Sequence, residues 1–156
     1  MKKWFLTLAA LTLALTLAAC GAPESKAVWT AEHAQDILDS GAFSEELEEL
    51  DADTAWMLYR LEEAGLGREE LTQAVCRRAS GSTCEELAVL SFDSEQAAAT
   101  AAQALETYVD GQIEENRLYP LMDVASLENA WIDQRGSTVL LVAASDLAAA
   151  KDAVGA

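Results

Sequence analysis

The chain has 156 residues, of which 27 are acidic and 10 basic, and its formal charge is −17 with 51% hydrophobic residues. That balance argues against nucleic acid, whose phosphates need clustered Lys and Arg, and against flat docking on an anionic lipid surface. The length suits one domain with a core of its own, without a metal.

The amino terminus reads as an export segment. Lys2 and Lys3 form a basic tip, and Trp4 to Ala19 is apolar apart from threonines. The run falls short of the ~20 residues a spanning helix needs. It ends in Leu17-Ala18-Ala19-Cys20-Gly21, which resembles the lipobox of bacterial lipoproteins. A thiol there carries a diacylglyceryl thioether, and small neighbours let the strand lie extended in a processing peptidase. The competing reading is an ordinary secretory signal cut near Ala18 or Ala19, with Cys20 incidental. The expected division is a signal peptide over 1–19, a lipidated Cys20 and tether over 20–28, and a single α+β domain over 29–156. Two or three acyl chains hold a protein stably where one does not, each buried methylene adding ~0.8 kcal/mol. The mature chain would have 137 residues (156 less 19) and a charge of −19 (8 basic against 27 acidic). Gly21 to Val28, extended, reach at most about 26–29 Å, which keeps the domain near the membrane while its charge holds it off.

Thr30 predicts a helix start and Ser40-Gly41 its end. Residues 43–50, FSEELEEL, fit either a short helix or an extended edge. Asp53 caps a predicted helix, TAWMLYRLEEAG, closed by Gly65 and Gly67. Thr72 to Arg78 and Glu85 to Phe92 read as strands joined across ASGS, with Gly81 in the turn. Asp93 with Gln96 resembles a capping box. A long helix follows to about Asn116, with Ala98, Ala101, Leu105, Tyr108, Val109 and Ile113 at helical spacing. Gly111 inside it marks a possible kink, and Pro120 breaks the chain. A second hairpin joins Asn129–Gln134 to Thr138–Ala144 across Arg135-Gly136. The run VLLVAA predicts a central strand, and Ser145 or Asp146 caps a last helix through Val154. The expected fold is α+β: N-terminal helices, then a ββαββα-like unit with one mainly antiparallel sheet and helices on one face.

The stretches ASGSTCEELAVLSFDSEQAAATAAQALE and LENAWIDQRGSTVLLVAASDLAAAKDAV resemble the small lipoproteins grouped as domain of unknown function 4358. The likeness spans roughly residues 30–154 and includes Leu58-Tyr59. It implies a lipid-anchored extracytoplasmic domain and carries no activity with it. Cys76 and Cys84 depart from the pattern, as do the extra residues after Tyr59.

Few residues suggest chemistry. Centring the first hairpin on Ser80 sets Cys76 opposite Cys84, within disulfide range, and in an exported chain with Cys20 lipidated a structural bridge is the favoured reading. A redox pair is the alternative, although seven residues intervene where redox motifs place two. His33, the single histidine, reads as a surface residue. The carboxylates Glu45, Glu46, Glu48, Glu49, Asp51 and Asp53 read as a solvated face, with weak cation binding as the alternative. Trp131 and Trp56 read as core, and Trp29 as the exposed tryptophan. No catalytic residue, cofactor site or metal site is assigned. The expectation is a non-enzymatic interaction module on the outer face of the cytoplasmic membrane, whose partner is an envelope protein or small ligand. The alternatives are a small carboxylate- or thiol-based envelope enzyme and a ligand- or cation-binding accessory protein.

Overall fold

The computed structural model describes residues 27–156. The expected signal segment, Cys20 and most of the expected tether lie outside the described residues. Helix α1 (Ala31–Asp39) opens on a reciprocal cap, in which the Thr30 side chain accepts from the His33 amide and His33 Nδ1 accepts from the Thr30 amide. The acidic stretch that fitted helix or edge forms an edge strand, β1 (Leu47–Leu50). Helix α2 (Ala52–Leu58) starts earlier than expected, because Asp51 rather than Asp53 accepts from the first free amides, those of Asp53 and Thr54.

A 3-10 turn at Arg68–Glu70 leads into β2 (Leu71–Ala79), which pairs with β3 (Glu86–Phe92). Ser94, not Asp93, caps α3 (Glu95–Asn116), and the helix runs unbroken through Gly111. A short α4 (Ala125–Glu128) precedes the hairpin of β4 (Trp131–Arg135) and β5 (Thr138–Ala143). Gly136 turns that hairpin at φ +54°, a conformation L side chains rarely adopt. Asp146 caps the final α5 (Leu147–Ala153).

The five strands lie in the order β1-β2-β3-β5-β4, each antiparallel to its neighbours. Strands β3 and β4 therefore run the same way with β5 between them, and α3 makes the crossover. The fold is α+β, with helices packed on the sheet. The expectation that they occupy one face is corrected: they cover both. Ala88, Leu90, Phe92, Val139 and Leu141 pack with α2 and α3, while Leu87, Val89, Leu140 and Val142 pack with α1 and α5. The reason is in the strands themselves. Both sides of β3 and β5 are apolar, so a second layer must exclude water from the other face, each buried Leu or Val contributing about 1.5–3 kcal/mol. Helices α1 and α5 supply it with Ala34, Ile37 and Ala150.

Candidate functional site

A cleft of about 600 Å³ opens between the Met57–Ala64 segment and α3. Met57, Arg60 and Glu63 line one wall, Ala104, Gly111 and Glu115 the other, and Tyr59 and Tyr108 the floor. Positions 104, 108, 111 and 115 recur at four, three and four residues, so they share one face of α3. Gly111 leaves that wall bare, for a Cβ built there meets nothing within 4 Å. Arg60 sits on the rim at φ +52°, which is uncommon for a residue with a side chain.

Beneath the floor lies a buried carboxylate. Glu86, only 1% exposed, accepts from the Tyr59 hydroxyl at 2.5 Å and the Tyr108 hydroxyl at 2.8 Å. Arg78 Nε stands 3.7 Å from it, and the two tyrosine rings meet edge to face with centroids 5.0 Å apart. Burial pushes the Glu86 carboxyl up even though Tyr59, Arg78 and Tyr108 favour its charged form. Burial and the Glu86 charge raise both tyrosines. Burial takes the Cys76 thiol, 3.9 Å from the Tyr59 hydroxyl, up to about 12. Such groups are poor nucleophiles at neutral pH. The set is a brace that ties α2 and α3 to β3 and fixes the floor of the cleft.

The preceding residue does a different job. Glu85, with no exposed surface, accepts from the Ser44 amide at 3.0 Å, the Ser44 hydroxyl at 2.9 Å, the Ser145 amide at 2.9 Å and the Ser145 hydroxyl. It thereby knots the loop before β1 to the start of β3 and the junction of β5 with α5. Burial pushes its carboxyl up, but the donors from Ser145 and Ser44 outweigh this and hold it below the usual range. A second cavity of about 400 Å³ lies beside the knot. The hydroxyls on its wall are already engaged, Ser126 with the Thr83 carbonyl and Ser145 with Glu85.

The residues singled out in the sequence do not converge. Cys76 faces Ala88 rather than Cys84, because the hairpin is centred two residues later than Ser80. The Arg78–Glu86 pair lies between the cysteines; both are buried free thiols, and the geometry assumed for a bridge is not met. Gly81 serves the β2–β3 loop through closeness, since a Cβ there would lie 2.1 Å from a Glu45 carboxylate oxygen. His33 is spent on the α1 cap. Asp51 caps α2, Asp53 accepts from Arg68 at 2.7 Å and Glu49 from Arg77 at 2.9 Å. Trp29 is corrected from exposed to 1% exposed. Its amide donates to Thr138 Oγ1 and its indole N–H to the Asp133 carbonyl, with the Arg135 guanidinium 3.5 Å over the ring. The sequence reading passed over the Glu85-Glu86 pair. The signal was there: adjacent carboxylates at the head of an otherwise apolar strand must be buried, and buried carboxylates need donors.

No family model, curated protein or solved structure matches the chain.

Proposed function

We propose that this protein is a non-enzymatic binding module, held by a lipidated Cys20 on the outer face of the cytoplasmic membrane, and that it engages a partner through the cleft beside α3. The observation that carries the reading is the cleft itself: an open volume over a floor whose titratable groups are all engaged with one another. Such a site offers shape and a rigid surface rather than a reactive group. The anchor is supported by Leu17-Ala18-Ala19-Cys20 after a basic tip and an apolar run. The test places a photoreactive residue at Thr107, on the cleft wall, in the full chain in its native membranes. One protein adduct in near-stoichiometric yield, suppressed by Gly111→Leu, is expected. Labelling no stronger than from a position outside the cleft, such as Glu48, refutes the reading. In the same cells Cys20→Ala should leave the membrane fraction or stall in processing, and unchanged retention would sink the anchor.

A further inference from the structure

We infer that the occupant of the cleft is an amphipathic helix of a partner protein, apolar on one face and basic along its flanks; this rests on the binding reading above and gives it a ligand. The α3 face that walls the cleft does not stop with the helix. Ala104, Tyr108, Gly111 and Glu115 are followed at the same spacing by Leu118, in the turn that ends α3. Met57, Leu118, Tyr119 and Leu121 are between 64% and 88% exposed, and they make up four of the five exposed large hydrophobics among the described residues. Met57 stands on the rim of the cleft, and the other three follow its α3 wall.

The turn that carries them is fastened. The Met122 amide donates to the Tyr119 carbonyl at 3.0 Å across Pro120, the Asp123 amide donates to the Ser82 carbonyl at 2.7 Å, and Arg117 pairs with Glu128. Three apolar side chains are thus held in water by a turn with little freedom to bury them, which is the condition of a docking surface.

Shape and charge choose the occupant. From Ala104 to Leu118 the stripe runs about 21 Å, four turns at 1.5 Å per residue. A helix wall of this periodicity receives another helix by ridge-into-groove packing, and bare Gly111 leaves room for a side chain at its centre. Glu115 stands in the stripe with Glu114 beside it, whereas the rim cation Arg60 is paired with Glu63 and Arg117 with Glu128. An acidic border disfavours an anionic bilayer and a second copy of this acidic chain, and complements Lys or Arg.

The experiment uses a 14-residue leucine–lysine peptide patterned for one apolar helix face and carrying a benzophenone on that face. It is irradiated with the full lipoprotein in zwitterionic nanodiscs at physiological salt, with empty discs as the blank. Saturable adducts are expected on Met57 and on residues 107–121, falling at least tenfold with Leu118→Ser plus Leu121→Ser. A scrambled peptide of the same composition and a leucine–glutamate version should not label these positions. Both substitutions are at exposed positions, so thermal unfolding should be unchanged. Adducts scattered over the acidic surface, adducts indifferent to the variants, or equal labelling by the glutamate peptide overturn the inference. If the peptide fails while the Thr107 cross-linker still captures a partner, the helix assignment falls and the binding reading stands.

Discussion

Glu85 and Glu86 are adjacent, equally buried and opposite in their response to pH. The fold favours the ionised form of Glu85, so the stability it contributes is present above its usual 4.5 and is lost as pH falls through its lowered value. It favours the protonated form of Glu86, so that contribution is complete below 4.5 and is lost as pH rises through its raised value. Urea melts across pH should separate them. Glu85→Gln should cost about 1–3 kcal/mol near neutrality, because an amide cannot satisfy the donors of Ser44 and Ser145, and it should remove the loss on the acid side. Glu86→Gln should flatten the decline that begins above pH 4.5. Retention of that decline in the Glu86 variant would place its origin elsewhere. The thiols give a second check at this scale. Cys76 and Cys84 should resist alkylation in the native protein and each take one label after unfolding without reductant; no uptake would mean that they are bridged.

At the scale of elements, α3 is where stability and purpose conflict. A glycine inside a helix is about 1 kcal/mol worse than alanine, yet Gly111 has open space where its Cβ would be and a φ that imposes no strain. Gly111→Ala should therefore raise the unfolding free energy by about 0.5–1 kcal/mol in denaturant melts while narrowing the cleft. The elements themselves were largely legible in the sequence, since apolar periodicity and turn residues located every strand of the two hairpins and the long helix. What escaped it depends on register and on layering. Moving the first hairpin centre by two residues separates Cys76 from Cys84, and no local signal distinguished the two centres. The one-face layering failed because α1 and α5 meet only in the folded chain. The brace under the cleft was beyond reach for the same reason: Tyr59, Glu86 and Tyr108 lie on three elements, and only the carboxylate pair gave a local hint.

For the whole molecule, charge and placement act together. Helix α3 spans 22 residues, about 33 Å, and its two ends have different neighbours. Near its start the Gln134 side chain donates to the Glu95 carbonyl, and Val28, where the described chain begins to enter the fold, lies beside Gly136. The exposed Leu118–Leu121 turn is at the other end. On the anchor proposed here, that turn is carried away from the point of attachment, and the acidic surface is repelled by anionic headgroups within a Debye length of ~8 Å. The chain without its lipid should accordingly show no sedimentation with anionic vesicles at low salt; strong binding there would contradict this placement. Trp29→Ala should destabilise the fold by about 3–5 kcal/mol in thermal or urea melts, as expected for a buried aromatic, with the Asp133 carbonyl left without its indole donor.

Trp29 is also a bearing for force. Any pull delivered through the residues before Val28 is passed on through Trp29, whose backbone amide and indole N–H bond different strands, Thr138 at the head of β5 and Asp133 within β4. The load is therefore divided across a hairpin instead of peeling one strand from an edge, and Arg135 lies across the ring like a bolt. On the proposed anchor, a pull along the tether should therefore have to draw Trp29 from its seat before it bears on the cleft beside α3.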